Sequence, residues 1–486
     1  MCRCDEFLTQ QYDQRRALVD SHDSILECRY LQSIYGGTNS LKTMNKFTSL
    51  FFLIALLCLS ACAKQNDPGQ IIGDTSQNIF SYINPKELSS YIIDKPTQNK
   101  LTQAYLLHYF SPWTNQNRFK KNNEIKQKES TYLTEYQQHP GVGENHLNHS
   151  NAWIENITQN VNLEKLGINE RNAIVSANSD LRVLPTNDPS FSSLTKAGQF
   201  YPFDNLQESF LSVGTPIVIL QTTNNGKWDL ILTHNDYGWI QHQHVAYVDV
   251  NFMHQWQSGK YEIVISDDVS VTLQNNFLFS SRLGALFPVS DNGNNNLFVP
   301  IRDTDQNAKL ILAHINNNAI RQFPMDFSVN SFIMIIQKLV GNPYGWGSIY
   351  GYRDCSATMV DLFSPFGVWL PRNSSQQIKI GQTISLEGLT SKEKQKIIRS
   401  QGKPFITLVG LPGHITLYIG TYHNNPYLFQ NIWGLHTGVP FLPFLGEGRA
   451  IIGQTVITPI NFDNRFLNVP TKFIDKINQI AVLDRT

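Results

Sequence analysis

Asn342-Pro343-Tyr344-Gly345-Trp346-Gly347 and, after seven further residues, Cys355-Ser356-Ala357-Thr358-Met359-Val360-Asp361-Leu362-Phe363 form the stretch from which the rest of the chain is read. Glycines and aromatics make the first half a loop. In the second half Met359, Val360, Leu362 and Phe363 fall on the apolar positions of a helix that starts at or next to the cysteine. A thiol at a helix N-terminus feels the positive end of the macrodipole and unpaired backbone N–H groups, which lower its pKa and favour the thiolate. The same N–H groups can hold a developing oxyanion. Upstream, Phe332, Ile333, Ile336, Leu339 and Val340 pattern a second helix. Downstream, strands are expected at Phe405–Val409, His414–Ile419 and Tyr427–Ile432. The segment 321–486 is therefore read as an α+β domain.

A cysteine nucleophile needs a base. Of the 13 histidines, His414 has the most suggestive setting, since Leu411-Pro412-Gly413 turns the chain and His414 opens an alternating strand. Ile415, Leu417 and Ile419 are expected on the core face, with His414, Thr416 and Tyr418 opposite. A third group should fix the imidazole. The next strand is expected to fold back across Asn424-Asn425-Pro426 and bring Gln430 or Ile432 opposite His414. Only Gln430 is polar, and His436, just beyond Trp433, is the competing residue.

Before this domain the chain carries short β-type runs: Leu181–Leu184, Pro216–Leu220, Trp228–Leu232, Gly238–Ile240 and Val245–Val248. With Asn224-Asn225-Gly226 as a turn they predict a small β-barrel over 166–252. Val269–Val271, Gly284–Pro288, Leu297–Ile301 and Lys309–Ala313 predict a second, weaker one over 253–320. Residues 62–165 are Asn/Gln-rich and read as a tether followed by a mainly helical region, with one helix through Leu101, Tyr105, Leu106 and Phe110.

At the N-terminus, Asn45-Lys46, an apolar run from Leu50 to Leu59 and then Ser60-Ala61-Cys62 make an export signal over 44–61, too short for a membrane-spanning helix of about 20 residues. Leu59-Ser60-Ala61-Cys62 resembles a bacterial lipobox, which implies lipidation of Cys62 and a place at the cell envelope. Ala63 after it implies the periplasmic face of the outer membrane. Residues 1–43 do not start as export signals do, so translation is expected to begin at Met44. Of six cysteines, Cys2, Cys4, Cys28 and Cys58 then fall in the leader or signal, and Cys355 has no disulfide partner.

The 486 residues hold 39 Lys+Arg and 39 Asp+Glu, so the net charge is zero, and only 16% are charged against roughly 25% in an average globular protein. That balance argues against nucleic acid as a partner, and nothing in it calls for more than a monomer. No Walker loop, paired Cys-X-X-Cys in the mature part or His-Glu-X-X-His is present, so no cofactor or metal is expected. His242-Gln243-His244 has no acidic or thiolate neighbour in sequence and reads as surface.

Tyr344-Gly345-Trp346-Gly347, Asp354-Cys355-Ser356, Pro371-Arg372-Asn373-Ser374-Ser375-Gln376, Gly413-His414-Ile415 and the strand with Gln430 together resemble the NlpC/P60 cysteine peptidases of the bacterial cell wall. The wider layout resembles their multidomain type, with a stabilising N-terminal domain and two bacterial SH3-like units ahead of a papain-like catalytic domain. The resemblance implies Cys355 as nucleophile, His414 as base and Gln430 as third residue, with Tyr344, Asp354 and Ser356 supporting substrate or oxyanion. It departs at Ala357, where Gly is usual, and at Gln430, where His is commonest. It further implies hydrolysis of the γ-D-glutamyl bond to the diamino acid of peptidoglycan stem peptides or muropeptides, with the first barrel selecting stems that have a free N-terminal L-Ala. The residues alone leave two other readings open: a Cys–His amidase or acyltransferase on another amide, and a non-catalytic peptidoglycan-binding lipoprotein.

Overall fold

The computed structural model describes residues 73, 75–114, 118–196, 198–289, 296–438, 447–465 and 469–484. All of these residues belong to one compact unit, Asn66–Thr486. The export signal, Cys62 and the residues before them lie outside the described residues.

Three helices open the unit: α1 (Lys95–Tyr109), α2 (Arg118–Gln138) and α3 (Asn151–Asn160). Asp94 caps α1 by accepting the Thr97 N–H, and Pro96 sits in the first turn where its missing N–H costs nothing. Leu101, Tyr105 and Tyr109 then face the main core. Gln98 donates to the carbonyls of Met325 (2.6 Å) and Phe366 (3.0 Å), while the Tyr109 hydroxyl donates to Gly214 O (3.1 Å). This one helix therefore ties the first barrel to the last domain. The polar run Lys120–Gln127 lies inside α2. Its buried stripe is too sparse to show in sequence: Ile125 and Leu133 face inward, with Glu129 accepting the Trp239 indole N–H at 2.8 Å.

The first barrel comprises β1 (Arg171–Val175), β2 (Ser179–Arg182), β3 (Gln207–Leu211), β4 (Pro216–Thr222), β5 (Trp228–Leu232), β6 (Tyr237–Gln241) and β7 (Val245–Tyr247). Its strand order is β3-β2-β6-β5-β4-β1-β7. Two strands escaped the sequence reading: β1, which pairs with both β4 and β7, and β3. Between β2 and β3 a long loop, 183–206, leaves the barrel. After α4 (Val250–Trp256) the second unit follows as β8 (Tyr261–Val264), β9 (Val269–Leu273), β10 (Asn276–Ser281), β11 (Leu286–Pro288), β12 (Asn296–Arg302), β13 (Ala308–His314) and β14 (Ile320–Gln322). They form two sheets, β10-β9-β13-β12 and β11-β8-β14.

The last domain runs α5 (Val329–Leu339), α6 (Cys355–Phe363), α7 (Ser374–Gln377), β15 (Gln382–Ser385), α8 (Ser391–Gln401), β16 (Thr407–Leu411), β17 (His414–Tyr422), β18 (Asn425–Gly438), β19 (Glu447–Pro459), α9 (Phe473–Lys476) and β20 (Gln479–Val482). Its antiparallel sheet has the order β15-β20-β16-β17-β18-β19. Phe332, Ile336, Met359 and Phe363 of α5 and α6 bury one face together with Ile415, Leu417 and Phe429. Ile398 of α8 covers the other with Val409, Tyr418 and Leu428. Both faces of β17 are thus cores, so Thr416 and Tyr418, expected on an open face, are buried. The β17–β18 turn is His423-Asn424, both at positive φ (46° and 63°) between the paired Tyr422 and Asn425, one residue earlier than the sequence suggests.

Candidate active site

Helix α6 starts at Cys355 because Asp354 stops the chain in extended geometry (φ −86°, ψ −172°) and accepts the Ala357 N–H at 2.8 Å. The carboxylate is itself gripped by Arg372, whose Nη2 and Nη1 lie 2.7 and 3.1 Å from its two oxygens. Arg372 also donates to Ser356 Oγ (2.8 Å) and, through Nε, to Ser209 Oγ on β3 (3.0 Å). The run from Arg372 to Gln377, polar in sequence, is therefore partly interior: Arg372 and Gln377 are buried, and Gln377 donates to Ser356 O and Pro371 O. Asp354 and Ser356, expected beside substrate or oxyanion, spend their oxygens on this network. Asn431 closes the far side by donating to Arg353 O (2.6 Å) and Thr358 Oγ1 (3.1 Å).

Cys355 is 7% exposed. Burial pushes its thiol up to about 12, the Asp354 carboxylate adds to the rise, and the Ile415 N–H, Arg372 and the Ser356 N–H oppose it. The expectation of a depressed thiol pKa is thus corrected: desolvation outweighs the helix terminus, whose capping residue is itself an anion. That the Ile415 N–H bears on the sulfur also places the start of β17 against the start of α6.

His414 Nε2 lies 2.9 Å from Gln430 Oε1. Gln430 Nε2 in turn donates to Thr458 Oγ1 at 2.7 Å, which turns the amide so that its oxygen faces the ring. Nε2 then carries the proton and Nδ1 the lone pair. The two side chains meet diagonally beyond the last paired residues, Leu417 and Phe429. Burial pulls the imidazole down to about 4, opposed by the Gln430 hydrogen bond and the Asp354 charge. His436, the competing third residue, sits on β18 beyond a bulge, opposite Arg449 of β19. The structure brings Gln430, and not His436, to the ring of His414. Thr458 had no signal in the sequence.

An aromatic mouth stands next to these residues. Tyr344 docks its backbone N–H on Gly453 O of β19 (2.9 Å), its ring is 6.0 Å from that of Trp433, and burial with the neighbouring Cys355 drives its hydroxyl well above the usual phenol range. Phe203, from the loop 183–206 of the first barrel, contacts the rings of Trp346 (5.2 Å), Trp433 (6.2 Å) and Tyr344 (6.4 Å). Trp346 Nε1 donates to Asp204 O (3.2 Å) and Gln207 Nε2 to Gly347 O (3.1 Å). Nothing in the sequence marks Phe203, because its role depends on docking between segments far apart in the chain. Beneath the loop, Arg353 binds Asp267 of the second barrel through both terminal nitrogens (2.7 and 2.6 Å) and Asp361 through Nε (2.7 Å).

The His-X-His pair proves to have an acidic partner after all. His242 Nδ1 is 2.8 Å from the buried Asp229, its Nε2 is 3.0 Å from Gln306 of the second barrel, and His244 meets Ser179 at 2.8 Å. Asp229 lies 13 residues away, too far to link by spacing. Among the described residues no group of three or more His, Cys, Asp or Glu side chains is arranged to hold a metal ion.

Comparison with known proteins matches family models at four places: the N-terminal NLPC_P60 stabilising domain at 51–166, an SH3 domain of the SH3b1 type at 189–241, one of the SH3b2 type at 249–293, and the NlpC/P60 family at 341–432. A solved NlpC/P60 endopeptidase from Photobacterium damselae subsp. piscicida is 28% identical, with a TM-score of 0.76 over 85% of this chain and 98% of its own. An NlpC/P60 family protein from Bacillus cereus ATCC 10987 is 15% identical, with a TM-score of 0.41 over 64% of this chain and 98% of its own. The γ-D-glutamyl-L-lysine dipeptidyl-peptidase of Bacillus subtilis (strain 168) is 32% identical over 82 residues, 17% of this chain. The chain spans about a quarter of that relative's length (26%).

Proposed function

The chain belongs to the NlpC/P60 family of peptidoglycan hydrolases, with the family's stabilising domain and two SH3 domains ahead of the catalytic one, and from that premise we propose that it hydrolyses the γ-D-glutamyl bond to the diamino acid of stem peptides. The observation that carries the reading is that Cys355, at the head of a buried helix, meets the start of β17 through the Ile415 N–H, next in the chain to a His414 ring whose Nε2 is engaged by Gln430. The relative acting on a γ-D-glutamyl-L-lysine substrate supports the choice of bond.

With the thiol raised to about 12 and the imidazole lowered to about 4, the resting pair is neutral. Attack therefore moves a proton. Cys355 sulfur bonds to the γ-carbonyl carbon as its proton passes to His414 Nδ1, and the carbonyl π pair becomes an oxyanion. Collapse restores the carbonyl and breaks the C–N bond, the imidazolium proton going to the departing amine. Water then attacks the thioester with His414 as base, freeing the γ-carboxyl group and the thiol. Gln430 keeps the ring in the tautomer that leaves Nδ1 free, without adding charge.

The test is mass spectrometry of muropeptides and of free stem peptides incubated with the full chain and with Cys355→Ala. A released diamino-acid peptide is expected, beside a residual disaccharide-dipeptide or, from stems with a free N-terminal L-Ala, the dipeptide L-Ala-D-Glu, and none of these with the variant. A sugar freed from an intact stem would instead establish an amidase, and no cleavage at all a wall-binding protein. The reading also places the enzyme at the cell envelope through lipid on Cys62; palmitate labelling that persists in Cys62→Ala would overturn that placement.

A further inference from the structure

Two indoles flank Phe203 at the mouth, and they differ in one respect. Trp346 Nε1 has an acceptor, Asp204 O, whereas Trp433 Nε1 is sheltered from solvent and has no hydrogen-bond partner. A buried donor without an acceptor is disfavoured, and fold-stabilising packing alone gives no reason to retain an N–H there. The position is also built. Between the pairs Ile432–Gln454 and Gly434–Ile451, two residues of β19, Ile452 and Gly453, face the single Trp433. Trp433 follows Phe429 and Asn431 in the alternation of β18, on the face of the sheet that packs against α5 and α6. Gly453 holds a positive φ of 66° there, and its carbonyl receives the Tyr344 N–H. The bulge therefore sets Trp433 and Tyr344 side by side, three residues along β18 from Gln430.

We infer that the Trp433 indole N–H is a substrate-binding donor that receives the α-carboxylate of the D-glutamyl residue at the scissile bond. This rests on the stem-peptide reading above. In a γ-linked residue the α-carboxylate is a free anionic branch on the acyl side of the bond, so it enters the site with the carbonyl that Cys355 attacks. Two arginines of the site are committed, Arg372 to Asp354 and Arg353 to Asp267 and Asp361. The surrounding rings of Tyr344 and Phe203 exclude water, which strengthens a hydrogen bond made to an anion there. Phe203 comes from the connection between β2 and β3, so the first barrel would supply part of the wall around this donor.

Two measurements on the full chain test the inference. In steady-state kinetics Trp433→Phe keeps an aromatic ring but removes the N–H. Its loss should fall on KM rather than kcat, by about ten- to hundredfold. Stems carrying D-isoglutamine, in which the α-carboxylate is an amide, should be cut about tenfold less efficiently than D-glutamyl stems by the parent enzyme. That penalty should shrink towards one in Trp433→Phe; an equal penalty in both proteins would overturn the assignment. In the second measurement, L-Ala-γ-D-Glu-diaminopimelate is titrated into Cys355→Ala while the indole N–H resonances are followed. The Trp433 signal, identified by its loss in Trp433→Phe, should move downfield as its hydrogen bond forms. Saturable binding that leaves it unmoved would overturn this inference alone. Binding that moves it, without cleavage by the parent enzyme, would overturn the hydrolase reading alone, and no binding would overturn both.

Discussion

At the scale of single residues, burial decides the protonation state from which chemistry starts. The Cys355 thiol stands near 12 and the His414 imidazole near 4, so at neutral pH the first holds its proton and the second lacks one. The proposed mechanism requires that unprotonated ring. As pH falls, kcat/KM should therefore stay flat through the ordinary histidine pKa of about 6.5 and drop only as His414 takes up its proton, near pH 4. The sign for stability is the same. The unfolded chain binds this proton below about 6.5 and the folded chain only near 4, so stability rises with pH across that window and is weakened by acid. Gln430→Glu should move the acid limb of kcat/KM upwards, since a carboxylate at the 2.9 Å contact favours the imidazolium. An acid limb near 6.5 in the parent enzyme, unmoved by Gln430→Glu, would show that the ring is open to water. Cys355, His414 and Gln430 were legible as candidates because their types stand in local motifs. The direction of the thiol shift was not, since burial is a property of the packed whole.

At the scale of the element, α6 depends on one buried ion pair. Asp354 caps the helix and neutralises Arg372, and both side chains are less than a tenth exposed. Removing one partner of such a pair typically costs about 3–5 kcal/mol, because the other charge stays buried without compensation. Asp354→Ala should lose about that much in urea unfolding, beyond the roughly 1 kcal/mol of an ordinary N-cap. A loss confined to the cap value would mean that Arg372 finds another partner, with Ser209 and Ser356 already in reach. The pattern of what sequence reveals follows the same logic. The start of α6 was readable to within a residue from Met359, Leu362 and Phe363, and β17 from its alternation. Strands β1 and β3 were not, because they open on the polar pairs Arg171-Asn172 and Gln207-Glu208, of which only Gln207 is buried. The Asp354–Arg372 pair spans 18 residues, and no local pattern announces it.

At the scale of the whole molecule, the first barrel is fitted against the loop that leads into Cys355. Gly347 has a φ of +56°, and a Cβ placed there would lie 2.3 Å from Gln207 O and 2.8 Å from Gln207 Cγ. The neighbouring contacts, Trp346 to Asp204 and Arg372 to Ser209, run between the same two bodies. Backbone cannot yield as a flexible side chain can, so Gly347→Ala should act as a wedge that lifts β3 from the loop 346–353. Left-handed strain alone costs on the order of 1 kcal/mol for a non-glycine residue. Gly388, at φ +74° with nothing within 4 Å of the added Cβ, supplies the control for that strain. Hydrogen exchange should quicken at 207–211 and 346–353 in Gly347→Ala and not in Gly388→Ala. Cleavage of stem peptides should fall in the first variant by far more than in the second, because the wedge loosens Arg372 behind Asp354 and carries Phe203 away from Trp433. If exchange quickens while cleavage holds, the catalytic domain sustains its site without the barrel, and the contacts through Ser209 and Phe203 are architectural only. If both respond together, the barrel is a working part of the active site and not merely a neighbour of it.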